Sequence, residues 1–274
     1  MSQRLTVAAI AIPILILIVF LGPVWLVGLT VGLASGCCAW EFLRCTEKDA
    51  KSRLHIYAAA SAVLIPFLTS IQGVGQYAIP IVLFFLFAAL FVELMLTFRQ
   101  RRTMEFETVA MVLLAGGVIP ILLSSLVRLD MRSCGSVYAF LPYVAAFSSD
   151  AGTYFIGMAF GKHKLAPYVS PRKTVEGSAG GFVSAIVLML LYGLVLRALN
   201  YQVNLAVMAV YGFLGSFAGQ LGDLSFSAVK RLYGVKDYGD LLPGHGGMMD
   251  RMDSMVWVAP VIEMLCLWVP AISK

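Results

Sequence analysis

Charge is what this sequence has least of. Of its 274 residues, 13% are Asp, Glu, Lys or Arg, 60% are hydrophobic, and the mean hydropathy is +0.87. A soluble domain with a polar exterior carries about a quarter charged residues, so that class is excluded. Cysteine is scarce too. The five present (Cys37, Cys38, Cys45, Cys134 and Cys266) form no C-x-x-C pair and no zinc spacing, and an odd, scattered set argues against a disulfide framework. The net charge of +5 is spread over the segments between apolar runs, which is no footprint of nucleic-acid binding. No nucleic-acid partner is expected.

What the chain has in abundance is long apolar runs. A spanning helix needs about 20 mostly apolar residues. Nine stretches qualify, near 5–21, 24–44, 54–70, 77–98, 108–127, 137–160, 178–198, 205–229 and 253–272. The expected class is therefore an all-α polytopic membrane protein. Residues 1–21 resemble a signal peptide, with Arg4 before an apolar run. No small-residue cleavage site follows, so this stretch is read as a retained helix.

The basic residues orient the chain. With a cytoplasmic amino terminus and nine alternating helices, the inner segments hold Arg4, Arg44, Lys48, Lys51, Arg53, Arg99, Arg101, Arg102, Lys162, Lys164, Arg172, Lys173, Lys230, Arg231, Lys236 and Arg251. The outer segments hold Arg128, Arg132, Arg197 and Lys274. Sixteen against four accounts for all twenty, a bias of the kind that sets topology. The expected location is the inner (plasma) membrane, with the loops that carry chemistry on the cytoplasmic side.

Residues 1–134 read as a chemically quiet scaffold with a possible role in lipid access. Glu41 and Glu93 are its notable acids, and both read as interfacial: Glu41 solvated or paired with Arg44, Glu93 near Arg99. The Arg99–Arg102 run reads as a topology anchor that also suits anionic lipid headgroups. Residues 135–274 read as the catalytic region, with cytoplasmic loops at 161–177 and 230–252.

In that second region, Asp150 falls in the middle of an apolar helix, with Gly157 and Gly161 continuing its face. An intramembrane carboxylate either is satisfied by neighbouring hydroxyls or lines a site. The loop from Gly161 to Gly177 gathers four basic residues, two prolines, Thr174 and Glu176. Thr174 precedes a helix, where its side chain would cap and free backbone donors would suit phosphate. Further on, Gln220, Asp223, Ser227, Lys230 and Arg231 fall within an arc of about 100° on one helix. Gly212, Gly215, Gly219 and Gly222 lie directly beside that polar stripe, so the helix packs inward and lines a cavity. Asp250 and Asp253 share a face at the start of the last helix, where acids also gain from the helix dipole. Between these helices, the turn Pro243-Gly244-His245-Gly246-Gly247 would fold Asp250 back towards Asp223.

Carboxylates from two helices, with Lys and Arg from two inner loops, make a site for a hard cation and phosphate. The chemistry expected from the residues is phosphoryl or nucleotidyl transfer at the membrane surface.

The run Ser227-x-Val229-Lys230-Arg231-x4-Lys236-Asp237-x-Gly239-x2-Leu242-Pro243-x-His245-Gly246-Gly247-Met248-x-Asp250-Arg251-Met252-Asp253 resembles the signature of the phosphatidate cytidylyltransferase (CDP-diacylglycerol synthase) family. Ser149-Asp150-x-Gly152-x-Tyr154 and the 161–177 loop resemble its second characteristic region. Arg172 stands there where lysine is usual, and Val175 where tryptophan is common. The resemblance is specific over about 148–253. It implies a reaction of CTP with phosphatidate giving CDP-diacylglycerol and pyrophosphate, with Mg2+ as cofactor and K+ as a second cation. By motif, Asp223, Ser227 and Asp250 would hold metal, with Asp253 nearby. Lys230, Arg231, Lys236, Arg172 and Lys173 would hold phosphates, with Asp223, Asp250, Lys230 and Lys236 central to catalysis. Asp150, Thr174, Glu176, Asp237, Gly246, Gly247 and Arg251 complete the expected substrate site, and His245 either braces the glycine turn or moves a proton. A homodimer is one open oligomeric outcome. Two other functions stay open: a CTP-dependent polyprenol kinase, and an ion-coupled secondary transporter, which the lack of paired broken helices disfavours.

Overall fold

A computed structural model describes residues 13–46, 52–99, 105–241 and 246–273. Arg4, Lys48, Lys51, Arg101, Arg102, Lys274 and His245 lie outside the described residues. Helix α1 covers 13–21 and a break at Gly22-Pro23 separates it from α2 (Val24–Thr46). There follow α3 (Ser52–Thr69), α4 (Gly75–Arg99), α5 (Phe106–Leu113), a π-helical turn (Leu114–Val118), α6 (Ile119–Leu123) and α7 (Ser125–Asp130). Then come α8 (Gly135–Phe160), α9 (Val175–Ala198), α10 (Leu205–Leu232) and α11 (Met249–Trp268).

The chain is an all-α polytopic membrane protein. Among the described residues, five helical runs are long and apolar enough to cross a bilayer: Val24–Thr46, Gly75–Thr97, Phe106–Asp130, Val175–Ala198 and Leu205–Leu232. α3 is apolar but shorter. α8 and α11, with 26 and 20 residues, have the length. Their apolar character is interrupted by Ser148-Ser149-Asp150 and by Asp250, Arg251, Asp253 and Glu263. The five that qualify all fall on expected spans; the total of nine is an expectation from the sequence alone. Outward-facing side chains such as Phe84, Phe85 and Phe91 on α4 and Val183, Leu191 and Val195 on α9 are apolar and exposed. Such surfaces suit lipid.

The π turn has a local cause. Pro120 has no N–H to donate to the carbonyl of Gly116, four residues back. That carbonyl accepts the Ser61 hydroxyl at 2.7 Å instead. α3 comes so close here that a Cβ on Gly116 would sit 2.7 Å from the Ala58 Cα.

Two compact units form: one from Met1–Arg128 with Asp237–Met252, the other from Leu129–Lys236 with Asp253–Lys274. In the first, α2 packs along α3. Gly28, Gly32 and Gly36, four apart on one face of α2, meet Ser70, the Val63 carbonyl and the Val63 side chain. Glu93 is buried in this unit, and its partners include Arg53 at 3.7 Å and the Tyr57 hydroxyl at 3.4 Å. An intramembrane carboxylate is drawn to the cation and hydroxyl of the neighbouring helix, and the Arg99 side chain, expected near it, lies outside the described residues.

In the second unit, α8 packs along α9. Gly152 lies against Ser184, Gly180 against Ile156, and Gly177 against the Thr153 carbonyl. The glycine groove of α10 is filled as its position on the helix implies: Gly212 by α9, Gly215 by Ala145, and Gly222 by Trp257 and the Asp253 carbonyl. The 161–177 segment is more ordered than an irregular loop. It is an antiparallel hairpin, β1 (Lys164–Ala166) with β2 (Ser170–Thr174), pairing Lys164 with Thr174 and Ala166 with Ser170. At the other end of these helices, β3 (Gln202–Val203) pairs with β4 (Ile272–Ser273), and the Tyr138 hydroxyl donates to the Ile272 carbonyl at 2.6 Å.

Candidate active site

The site in the second unit begins with the hairpin. Thr174 ends β2 and caps α9, its hydroxyl accepting the Gly177 N–H at 3.1 Å. Glu176, in the first turn of α9, ties the hairpin to the helix start. Its carboxylate accepts the N–H groups of Lys162 and His163 at 3.1 and 3.2 Å and meets His163 Nδ1 at 2.6 Å. On the turn side, two nitrogens of Arg231 donate to the carbonyls of Val169 and Val235 at 3.2 and 3.1 Å. Thr174, Glu176 and Arg231 therefore fix the hairpin in place.

So anchored, β2 sends Lys173 to α10, where its Nζ lies 2.5 Å from Asp223 Oδ2. The other oxygen of Asp223 accepts the Ser227 hydroxyl at 3.1 Å, one helical turn on. Asp150 and Tyr154 of α8, Arg172 and Lys173 of the hairpin, and Gln220 and Asp223 of α10 line a cavity of about 430 Å³. Asp253 is buried within electrostatic reach of Asp223, Lys230 and Asp150, and its Oδ1 accepts the Ser254 N–H at 2.7 Å. Lys230 is buried as well. Three carboxylates and two lysines thus gather, and for the buried Asp253 and Lys230 uncompensated charge is costly, so charges pair.

Beneath this cluster lies a neutral ladder. Ser149 and Ser216 hydroxyls meet at 2.8 Å, Gln220 Nε2 donates to Ser216 Oγ at 3.1 Å, and Ser178 Oγ donates to Gln220 Oε1 at 2.5 Å. It ties α8, α9 and α10 together. Gln220 stood on the predicted polar stripe but was absent from the expected site, because a lone amide gives no sign of its partners. Thr153, also on the cavity wall, carries a buried hydroxyl without a hydrogen-bond partner among the described residues. Nothing in the sequence marks it out.

Among the described residues no three His, Cys, Asp or Glu side chains gather as a metal-binding group. Magnesium often takes one or two carboxylates and completes its shell with water and phosphate oxygens. The hard oxygens of Asp223, Ser227 and Asp253 are the donors of that kind here.

The comparisons with known proteins decide the family. A model of the cytidylyltransferase family matches residues 2–269. The chain belongs to the cytidylyltransferase family. Among its relatives are three bacterial proteins bearing the name phosphatidate cytidylyltransferase. The one from Bacillus subtilis (strain 168) is 41% identical over 181 residues, covering 65% of this chain and 66% of that protein. The one from Staphylococcus saprophyticus is 33% identical over 214 residues, covering 78% and 80%. The one from Staphylococcus aureus (strain COL) is 34% identical over 196 residues, covering 72% and 74%.

For a cytidylyltransferase, the remaining expected residues fall as follows. Lys236 ends the second unit and is exposed. Asp237, Gly246, Gly247, Asp250 and Arg251 belong to the first unit. There Gly246 adopts φ 85°, a conformation natural to glycine. Asp250 Oδ2 accepts the N–H groups of Tyr238 and Gly247 at 2.9 and 3.1 Å, which fixes the direction of its carboxylate.

Proposed function

We propose that this chain transfers the cytidylyl group of CTP to phosphatidate, forming CDP-diacylglycerol and releasing pyrophosphate for phospholipid synthesis. The observation that carries the reading is the Lys173–Asp223 pair at the wall of the α8–α10 cavity. A cation delivered by an anchored hairpin onto an intramembrane carboxylate is a ready exchange point: phosphate can take the lysine while the carboxylate takes a cation. The family membership and the names of the relatives support the same chemistry.

The reaction asks little of a general base. A phosphatidate oxygen is already anionic near neutral pH, so attack on the α-phosphorus needs chiefly positioning and charge neutralisation. Lys173 and Arg172 meet the triphosphate from the hairpin, and Lys230 meets it from α10. Lys236 adds an exposed cation four residues past the end of that helix. Arg231 serves by holding the hairpin turn. Asp223, Ser227 and Asp253 would supply oxygens for Mg2+, with K+ as a second cation, and by the signature Asp250 would bind metal as well. When bound, the cations neutralise charge that builds on pyrophosphate. The sixteen-to-four distribution of basic residues supports a cytoplasmic hairpin in the plasma membrane, and a homodimer is the oligomer we would look for first.

The direct test is pyrophosphate release from CTP by purified protein in phosphatidate-containing micelles. Release that requires phosphatidate is expected; none with folded protein and magnesium would remove the proposal.

A further inference from the structure

The first unit contains a buried acid that the reaction scheme above does not use. Glu41, read from sequence as solvated or paired with Arg44, is 6% exposed, while Arg44 is exposed. The carboxylate instead faces backbone. Its Oε2 accepts the N–H of Met249, the first residue of α11, at 2.9 Å. A Cβ on Gly239 would lie 2.6 Å from Glu41 Oε1, and one on Gly247 would collide with Oε2. Oε1 itself is buried and has no hydrogen-bond partner among the described residues. The next residue, Phe42, stacks on Tyr238 with ring centroids 5.9 Å apart and an interplanar angle of 27°.

Two adjacent side chains of α2 thus grip both described arms of the signature loop, Tyr238–Leu241 and Gly246–Met249. Those arms supply the two N–H groups that hold Asp250 Oδ2. An acceptor oxygen at a helix N-terminus also satisfies one of the donors left over there. Two of the loop's glycines are explained by the same contact, since any larger residue at either position would displace the carboxylate.

We infer that Glu41 is a positioning residue: its carboxylate fixes the two arms of the 237–250 loop and, through them, the direction in which Asp250 points. The inference rests on the proposed cytidylyl transfer for its kinetic arm alone. Its structural arm stands whatever the reaction.

The test compares Glu41→Ala, Glu41→Asp and Glu41→Gln in the full-length protein. It combines amide hydrogen exchange without substrate or metal with steady-state rates of CDP-diacylglycerol formation. Loss of this buried hydrogen bond should speed exchange in both arms about tenfold or more in Glu41→Ala, with the β1–β2 hairpin unchanged. kcat should fall by about ten- to a hundredfold, with KM for CTP within about twofold, since the residue acts before the chemistry and off the nucleotide. Glu41→Asp, one methylene short, should fall between Ala and wild type. Glu41→Gln keeps both reach and acceptor and should recover to within about threefold of wild type. If Glu41→Ala fails to fold, Glu41→Asp carries the decision. Wild-type exchange or wild-type kcat in the shortened variants would overturn the inference. So would a Gln variant as impaired as Ala, because charge and not hydrogen-bonded reach would then matter. Absence of CDP-diacylglycerol formation by the wild-type protein would overturn the proposed function instead, leaving the exchange result to judge Glu41.

Discussion

Two acidic residues, Asp223 and Glu41, sit in apolar helices of similar length, and their surroundings differ completely. Asp223 is part-exposed on a cavity, with Lys173 at one oxygen and Ser227 at the other. Glu41 is buried against a glycine-rich backbone and holds the N–H of Met249. A carboxylate paired with mobile side chains can exchange those partners for a ligand. One paired with backbone cannot release it without unfolding a segment. Burial of an acid in a membrane helix therefore marks importance in both cases, but the kind of partner separates a substrate-facing group from a brace.

The largest effects should come from the exchangeable side of this comparison. Asp223→Asn keeps size while removing the charge that a hard cation needs. Turnover is expected to drop about a hundredfold or more, with the protein still folded. Near-normal rates in Asp223→Asn at saturating magnesium would mean that this carboxylate, too, is only structural.

The next effect is on the cation that faces it. Lys173→Gln removes a charge-assisted contact worth about 1.5–3 kcal/mol, which is about ten- to a hundredfold in kcat/KM. Lys164→Gln, on the paired strand and exposed, contributes equally to an inside-positive count and should stay within about twofold. Equal small losses in both would reduce the hairpin charges to a topological role.

A smaller effect is expected from the neutral ladder. Gln220→Leu leaves Ser178 and Ser216 without their shared partner and should cost about 1–3 kcal/mol of stability, read as earlier thermal unfolding in detergent. The kinetic constants of the surviving folded fraction should change less than those of Lys173→Gln. The reverse order would place Gln220 among the substrate contacts.

Sidedness needs no loss of function at all. Lys164→Cys and Ser273→Cys in a cysteine-free background lie at opposite ends of the second unit's helices, on β1 and β4. They should react with an impermeant reagent from opposite faces of the membrane, Lys164→Cys from the cytoplasm. Labelling of both from one face would break the alternating topology.

The difference between Asp223 and Glu41 also explains what was legible in the sequence. The stripe Gln220–Arg231 and its glycine groove follow from helical period alone, and the structure fills that groove with α8, α9 and α11 as the pattern requires. The Thr174 cap was equally readable, because capping is a local rule that needs only neighbouring residues. The β1–β2 hairpin was not legible: Pro167, Pro171 and the surrounding charges suggested turns, and its pairing is secured by Glu176 and Arg231 from flanking helices. Glu41 was misread for the same reason at longer range. Its partner Met249 is more than two hundred residues away, whereas Arg44 is its neighbour on the same helix face. Sequence spacing finds partners on one helix and misses those that the fold brings in.

The central claim is that an α-phosphate, and not a γ-phosphate, moves to the lipid. Purified protein incubated with phosphatidate and CTP labelled at either position, followed by separation of the lipid products, tests it directly. Label from the α-position should appear in CDP-diacylglycerol while label from the γ-position leaves as pyrophosphate. Lipid labelled from the γ-position and not from the α-position would contradict the account and identify a CTP-dependent lipid kinase.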